Sequence, residues 1–209
     1  MASSIIHIAV ANEINKVLKR DKTKILIGSI APDISKIVGE NRDISHFIED
    51  GTVVPNMKNF LKKYYNYLYD DFVMGYYIHL YTDYLWSKYF LTEILHDNTI
   101  QKKDGTSVKI CGNMAKFYIY NDYTNLNIQL IEKYHLDLEI FYEPLPKLKN
   151  IITEISMNKL NLLLDKAEII IANTKKKKNF VFDIKDVSNF IDISTKLILA
   201  SLEEITIKH

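Results

Sequence analysis

His79 and Asp83 carry the clearest chemical signal in this sequence. They lie four residues apart in an apolar run of Tyr, Ile and Leu that has no Pro and no Gly after Gly75. In a helix both side chains would point to one face, with about 5–6 Å between their Cβ atoms. Burying an imidazole beside a carboxylate costs free energy unless the two groups pair or bind a cation. The pair alone therefore indicates either a hydrogen-bonded core contact or part of a metal site.

Three more residues of metal-ligand type precede this pair. His7 lies on or beside the apolar stripe of a predicted first helix, where a core histidine bonded to a carbonyl is the alternative. Asp33 follows a Gly and a Pro that predict a turn, although it could instead cap a short helix over residues 34–38. His46 lies in a segment, 39–55, that we expect to be irregular.

Together these side chains predict a metal site of a particular kind. Three imidazoles and two carboxylates without cysteine are typical of zinc in a hydrolase rather than of a structural thiolate site. Zinc lowers the pKa of water to about 7, and a second zinc ion can share a bridging carboxylate and stabilise phosphoryl transfer. We expect Asp83 to bridge, as the end of the helical pair nearer solvent. The predicted metal ligands are His7, Asp33, His46, His79 and Asp83.

Composition limits the classes of protein to which this chain can belong. Lys and Arg number 27 and Asp and Glu number 26, so no global field attracts nucleic acid, and we expect no stable nucleic-acid complex. The single cysteine, Cys111, excludes an intrachain disulfide and a CxxC site. The N-terminus lacks the features of a signal peptide, and no apolar run approaches the roughly 20 residues of a transmembrane helix. We expect a cytoplasmic protein with no transmembrane segment.

Helical periodicity covers most of the sequence, and the helices that it predicts must position these ligands. Residues 4–20 predict an amphipathic helix, capped by Ser3 or Ser4, with an apolar stripe of Ile6, Val10, Ile14, Val17 and Leu18. Residues 56–69 form another helical segment. Asp70 or Asp71 should cap the helix that carries the pair, and that helix could run to about residue 96. Gly28 predicts either a helix C-cap or a close backbone approach.

The second half is expected to be helical apart from one hairpin. Asp104-Gly105 between β-branched residues predicts a β-hairpin near residues 99–110. Helices are predicted over 113–119, 122–135, 147–155, 156–174 and 184–205, with Leu160, Leu163, Leu164, Ala167, Ile170 and Ile171 buried in the fourth. Asp122 would be a helix cap or a further ligand, and the run 175–178 a solvated helix end or a site of phosphate or lipid attraction. Residues 1–209 thus read as one all-α domain.

The order of the motifs resembles one known family. His7, then 28–33 (GSIAPD), then 45–47 (SHF), then 75–83 (GYYIHLYTD) is similar to the zinc-dependent phospholipase C family, whose compact multi-helix fold is shared with P1/S1-type nucleases. The resemblance implies one zinc ion held by Asp33, His46, His79 and Asp83. It implies a second held by His7, the bridging Asp83 and the N-terminal backbone, and Asp33 placed to help deprotonate the attacking water.

The chain also departs from that family. It begins Met1-Ala2 where secreted members begin with a zinc-binding Trp, and Tyr89 stands where a histidine for a third zinc ion would be. The remaining candidates for a third site, His96, His135, Glu139 and Asp122, do not match the family's spacing. We predict a hydrolase with two zinc ions that acts on a small phosphodiester or phospholipid headgroup. The alternatives are a nuclease-type phosphodiesterase and a non-catalytic helical protein that binds a metal or, through its tyrosines, a partner.

Overall fold

The described part of the chain is mainly helical, as predicted. A computed structural model describes residues 1–110, 114–165 and 179–207. In these ranges no helix is both long and apolar enough to cross a membrane. The helices are α1 (Ser4–Leu18), α2 (Lys22–Gly28), α3 (Ile34–Val38), α4 (Arg42–Ser45), α5 (Met57–Tyr64), α6 (Asp71–Leu85), α7 (Leu91–Ile94), α8 (Met114–Tyr134), α9 (160–165) and α10 (Ile184–Ile207).

Helix α1 is central rather than amphipathic. It begins after Ser3, whose hydroxyl accepts the Ile6 N–H, and ends at Lys19, which has a left-handed φ of 52°. Residues 5–12 are all buried, and α1 packs against α6, α8 and α10. The predicted stripe is wrong at Val17, which is 61% exposed. A helix covered on several sides has no single apolar stripe, which is why periodicity misplaced this residue.

Two glycines allow α2 to lie directly on α6. A Cβ added to Gly75 would lie 2.9 Å from the Cα of Gly28 and closer still to the carbonyl oxygen of Ile25. Of the two roles predicted for Gly28, the close backbone approach is confirmed, whereas the C-cap of α2 is Ser29. Because the two backbones touch, the residues that follow α2 are held against the middle of α6.

Helix α6 begins as predicted and continues in an altered form. The Asp70 side chain accepts the Phe72 N–H and caps it. After Leu85 the chain forms one π-helical turn, Trp86–Phe90, and then α7. The helical path therefore ends at Ile94, close to the predicted end near residue 96.

The predicted hairpin is part of a three-stranded antiparallel sheet. The strands are β1 (Leu95–His96), β2 (Thr99–Gln101) and β3 (Ser107–Lys109), in the order β1-β2-β3. Gly105 supplies the positive φ, 81°, of the predicted turn. The first strand was missed. Its signal is the turn residues Asp97 and Asn98, both with positive φ, which is the geometry of a two-residue hairpin loop.

The predicted break between two helices at Asp122 is wrong. Helix α8 is continuous from Met114 to Tyr134, and Asp122 lies inside it as a fully buried residue rather than as a cap. Its carboxylate accepts the backbone N–H groups of Phe180, Val181 and Phe182 at 2.8, 2.7 and 3.1 Å. This residue therefore fastens the segment before α10 onto α8.

The remaining helix predictions have mixed outcomes. Residues 147–155 are irregular rather than helical, consistent with the two prolines that precede them. In the predicted helix 156–174, a 3₁₀ turn (Met157–Lys159) and α9 are described, with Leu160, Leu163 and Leu164 buried as expected. Ala167, Ile170, Ile171 and the run 175–178 lie outside the described residues. Helix α10 is confirmed.

Candidate metal centre

Four separate elements bring the five predicted ligands together. His7 comes from α1, Asp33 ends the 3₁₀ turn Ala31–Asp33, His46 is the C-cap of α4, and His79 and Asp83 come from α6. The three histidines and Asp83 have no exposed surface, and Asp33 is 7% exposed. The alternative role of Asp33 as a helix cap does not hold, since its side chain makes no capping hydrogen bond.

His79 lies at the middle of the cluster with one free nitrogen. Its Nδ1 lies 2.7 Å from the carbonyl oxygen of Ser29, the residue that directly follows α2. A carbonyl can only accept, so Nδ1 carries the proton and Nε2 presents a lone pair. A backbone contact of this kind on a histidine is typical of metal ligands, because it fixes the tautomer and the ring orientation.

His46 turns its Nε2 atom towards that of His79. Its Nδ1 lies 3.1 Å from the Arg42 carbonyl oxygen and 2.8 Å from Oγ of Ser45. In the tautomer whose Nδ1 proton is donated to that carbonyl, Nε2 is unprotonated. In the tautomer whose Nδ1 accepts the Ser45 hydroxyl proton, Nε2 carries the proton and can donate it to His79. The Nε2 atoms of His46 and His79 are 3.3 Å apart. Two lone pairs at this distance repel each other unless a proton or a cation lies between them.

The carboxylates of Asp33 and Asp83 lie close to the same two Nε2 atoms. Oδ1 of Asp33 lies 3.5 Å from Nε2 of His46. Oδ2 of Asp83 lies 3.8 Å from Nε2 of His46 and 3.7 Å from Nε2 of His79, and no described residue forms a hydrogen bond with it. Its other oxygen, Oδ1, accepts the backbone N–H of Ala2 at 2.9 Å. The expectation that Asp83 is the end of the pair nearer solvent is wrong, because His79 and Asp83 are both completely buried.

His7 completes the cluster and has no hydrogen bond. Neither of its ring nitrogens has a partner in the described part of the chain, although the residue is fully buried. Its ring stacks on His79, with 3.8 Å between centroids and 12° between planes. Its Nε2 lies 3.3 Å from Oδ1 of Asp83, without the geometry of a hydrogen bond. The expected alternative, a core histidine satisfied by a carbonyl, is therefore not what the structure contains.

The donor atoms lie close enough together to hold a cation. They form two groups, His7 with His79 and Asp83, and Asp33 with His46 and His79, each spanning at most 4.8 Å. Zinc bonds of 2.0–2.1 Å in a tetrahedron place the donors about 3.4 Å apart. The separations of 3.3, 3.5 and 3.7 Å fit this value. Since Nδ1 of His79 is engaged, its Nε2 can serve only one of the two groups.

The charges around the cluster keep both carboxylates ionised. Burial raises the pKa of Asp33, but the Lys36 ammonium, 2.8 Å from Oδ1, and the nearby histidines outweigh it and hold this pKa well below its usual range. Burial also raises the pKa of Asp83, and the adjacent His7 outweighs it, so that pKa is low as well. Burial lowers the pKa of His79 well below its ordinary value, which favours the neutral ring that a metal needs.

Sequence reasoning missed two cations that contact the carboxylates of the cluster. Lys36 pairs with Asp33, and an Arg42 guanidinium nitrogen lies 3.9 Å from Oδ2 of Asp83. The spacing of Asp33 and Lys36, three apart in a short helix, was the one available signal. The other candidates are not brought to the cluster: His96, His135 and Glu139 are exposed, and Asp122 binds backbone groups.

A cavity of about 500 Å³ lies beside the centre. Lys36, Arg42 and Lys116 contribute cations to its walls, and Tyr120 and Tyr123 contribute aromatic rings. None of the five donors lines it. The cavity and the cluster share a boundary at Lys36 and Arg42, which line the cavity and contact the carboxylates of Asp33 and Asp83. Met1 also lines the cavity.

Comparisons of the chain with protein-family models, with curated proteins and with solved structures find no match. The resemblance to zinc-dependent phospholipases C therefore stays a prediction. What the structure contains is a buried group of histidines and aspartates that could bind a metal ion.

Proposed function

We propose that this protein is a metal-dependent hydrolase of phosphodiesters, with zinc as the metal. One observation carries the proposal: the Nε2 atoms of His46 and His79 face each other at 3.3 Å, within reach of two ionised carboxylates. Buried lone pairs and negative charges converge there, and a divalent cation would turn this repulsion into attraction.

The donors divide between two proposed ions. Asp33, His46, His79 and Oδ2 of Asp83 would hold the first. His7 and Oδ1 of Asp83 lie beside it and would contribute to a second, with Asp83 as the bridge. Zinc in such a site acts as a Lewis acid towards a phosphoryl oxygen and makes water a stronger nucleophile near neutral pH.

Asp33 and Lys36 would contact the reacting groups. Asp33 is the least buried of the five ligands, and we assign it the role of proton acceptor for the attacking water. Lys36 is held on Asp33 in this structure. A cation bound to Asp33 would weaken that ion pair and leave the ammonium free to bind a phosphate oxygen. Arg42, on the same wall of the cavity, would bind a second oxygen.

The cavity sets the size of the proposed substrate. Its volume of about 500 Å³ is in the range of small-molecule sites. The walls combine cations with apolar side chains, including Val53, Leu91 and Ile119. This supports a phosphodiester that carries an apolar portion, such as a phospholipid headgroup with its adjoining glycerol, over a long nucleic acid.

The alternative, a protein that keeps a structural metal and catalyses nothing, also has an observation in its favour. The donors are almost completely buried, and the cavity stops at Lys36, Arg42 and Met1. Structural zinc sites are closed in this way, whereas catalytic sites keep an open position. In the proposed enzyme, the ion pair between Lys36 and Asp33 would break when metal and substrate bind. In the structural alternative it would persist.

Metal analysis and hydrolysis of bis-p-nitrophenyl phosphate test the proposal together. We expect at least one tightly bound zinc per chain, and its loss in His79→Ala but not in His135→Ala, an exposed histidine that serves as the control. We expect Asp33→Asn to lower kcat by about 10²–10⁴-fold, as for loss of a general base. Less than one zinc per chain contradicts the metal site. Full zinc with no turnover of this substrate or of p-nitrophenyl phosphorylcholine favours the structural alternative.

A further inference from the structure

A second cavity, of about 450 Å³, lies between α10 and the π-helical turn that follows α6. Its walls are mainly apolar and include the aromatic rings of Tyr89, Phe90 and Phe190. It shares no lining residue with the cavity beside the candidate centre, and none of the five donors lines it. Small-molecule sites have this size and are mostly apolar with a few polar groups. The second cavity is therefore a separate candidate for a ligand.

The π-helical turn contributes directly to this cavity. Tyr89 and Phe90 of the turn line the second cavity together with Glu93 of α7, whereas Leu91 and Thr92 line the first. A π-helical turn is rare, and where one occurs it is frequently at a functional site. The altered helix thus supplies residues to both cavities, and its presence supports a binding role for the second.

Ser194 adds a buried hydroxyl to the apolar wall. It lines the second cavity and is 1% exposed, and its Oγ has no hydrogen-bond partner in the part of the chain that the structure describes. A serine inside a helix ordinarily reaches solvent or bonds to the carbonyl oxygen four residues earlier. Ser188 and Thr195 of α10 also lack a partner, but neither lines the cavity. Because an unsatisfied buried hydroxyl costs free energy, a polar group of a ligand would stabilise Ser194.

The charges at the second cavity favour a cation. The charged residues that line it are Glu93, Lys103 and Asp186. Nζ of Lys103 lies 3.1 Å from Oδ2 of Asp183 and 2.8 Å from Oδ2 of Asp186, so this ammonium is already paired. Glu93 is exposed and forms no salt bridge with the described residues. Lys88 on the π-helical turn donates to a tyrosine hydroxyl at 2.6 Å and does not line the cavity. Three acids against two cations leave the Glu93 carboxylate without a partner.

We propose that the second cavity binds a small amine that has a ring in its apolar body and a hydrogen-bonding group at the end opposite its ammonium. The ammonium would pair with Glu93 at the mouth, beside the ring of Tyr89, where cation–π attraction adds to the ion pair. The body would pack against Phe90 and Phe190. The opposite polar group would bond to the hydroxyl of Ser194. Nothing in this assignment depends on the candidate metal centre.

Tyramine has these three features and serves as the probe. We expect NMR titration of the full chain to give a Kd on the order of 1 mM, as for other ligands of this size. The indole signal of Trp86, the single tryptophan, should shift, because its ring lies 4.1 Å from that of Phe90 and 4.8 Å from that of Phe190 between centroids. Phenethylamine lacks the hydroxyl and 4-ethylphenol lacks the ammonium, so each should bind about fivefold more weakly. The carboxylate analogue 3-(4-hydroxyphenyl)propanoate should bind most weakly of the four.

Two substitutions test the two polar contacts separately. Ser194→Ala should weaken tyramine binding about fivefold and leave phenethylamine binding unchanged, because phenethylamine has no group for the hydroxyl. Glu93→Gln should weaken tyramine binding by up to about fivefold and leave 4-ethylphenol binding unchanged. The matched controls are Ser188→Ala, which removes a buried and unpartnered hydroxyl of the same helix, and Glu132→Gln, which removes an exposed acid of α8. Neither control should change the Kd of tyramine.

Several outcomes would overturn the proposal. They are the absence of saturable tyramine binding, equal losses in the cavity and control variants, and tighter binding of the propanoate than of tyramine. If Ser194→Ala does not fold, the comparison of tyramine with phenethylamine on the parent chain still decides the role of the hydroxyl. A dimeric chain that Ile193→Ser makes monomeric would also overturn the proposal, because Ile193 lines the cavity at 48% exposure and the face would then join two copies.

The second cavity and the proposed function can fail separately. His79→Ala, which we expect to lose zinc, should bind tyramine as the parent chain does, because no metal ligand lines the second cavity. Tyramine binding without hydrolysis of bis-p-nitrophenyl phosphate supports the second site and contradicts the enzyme. Hydrolysis without tyramine binding supports the enzyme and contradicts the second site.

Discussion

Gly75→Ala is the substitution that best tests how the fold positions the candidate centre. Considered as part of an isolated helix, the change should stabilise the protein by about 1 kcal/mol, since Ala favours helix over Gly. In this structure the new Cβ would lie 2.9 Å from the Cα of Gly28. Carbon atoms pack at about 3.5–4.0 Å, so α2 and α6 must separate by roughly 1 Å. Backbone lies on both sides of the contact, and no side chain can move away to relieve it.

The separation should affect both stability and the site. Overpacking of this kind costs about 1–3 kcal/mol, which outweighs the gain in helix propensity. The Ser29 carbonyl follows α2, so its hydrogen bond to Nδ1 of His79 should lengthen from 2.7 Å to about 3.7 Å and be lost. Loss of the group that orients a metal ligand typically lowers metal affinity by about 10–100-fold. We therefore expect lower stability together with at least about tenfold weaker zinc binding.

Urea unfolding and zinc titration of the chelator-treated protein measure these two effects. Gly105→Ala is the control, because its Cβ would meet nothing within 4 Å and its φ of 81° strains any other residue. That variant should be destabilised by about 1–2 kcal/mol and should bind zinc normally. A Gly75→Ala protein that is more stable than the parent, with unchanged zinc affinity, would refute the close approach of α2 and α6 and the role of Ser29.

Two further predictions concern stability. Asp122→Asn should lower the free energy of unfolding by about 3 kcal/mol, because three backbone N–H groups lose a charged acceptor, whereas the exposed Asp50→Asn should have little effect; urea unfolding checks both. In metal-free protein, burial lowers the pKa of His79, so the unfolded state binds more protons below about pH 6.5 and stability should fall by about 1.4 kcal/mol per pH unit there. The depressed pKa values of Asp33 and Asp83 add a further loss only below about pH 4, where the unfolded carboxyls take up protons. His79→Gln should flatten the slope between pH 6.5 and 4, and an unchanged slope would contradict the buried neutral ring.

The five candidate residues could be singled out because each stands in a local pattern that the structure preserves. His79 and Asp83 are fixed by helical spacing, and both residues keep that relation in α6. Asp33 follows a turn that Pro32 imposes, and the short helix after it forms where expected. The five residues come together because α1 and α2 pack on α6. No single spacing predicted this packing; only the order of the motifs suggested that the residues would meet.

The errors arose where distant contacts override local preference. Asp122 was interpreted as a cap or a ligand because Asn and Asp favour helix ends. Its carboxylate oxygens instead accept hydrogen bonds from backbone N–H groups about 60 residues further along the chain. No local pattern contains that partner. The same holds for Arg42, which lines the cavity beside Lys36 and approaches Asp83 from a segment expected to be irregular.

The burial of the cluster is itself an argument that it binds something. Among the described residues, Nδ1 of His7 has no hydrogen-bond partner, and its Nε2 has only the 3.3 Å contact with Oδ1 of Asp83. An unsatisfied buried polar group costs about 1–3 kcal/mol. Oδ2 of Asp83 is likewise buried with no hydrogen-bond partner among the described residues. Replacement of buried polar groups by apolar residues of similar size is often neutral or stabilising, so packing alone would favour Leu at both positions. A ligand at 1,000 times its dissociation constant stabilises the folded state by about 4.1 kcal/mol, which is enough to offset this cost. These unsatisfied side chains meet in one cluster, and a bound cation would account for that placement.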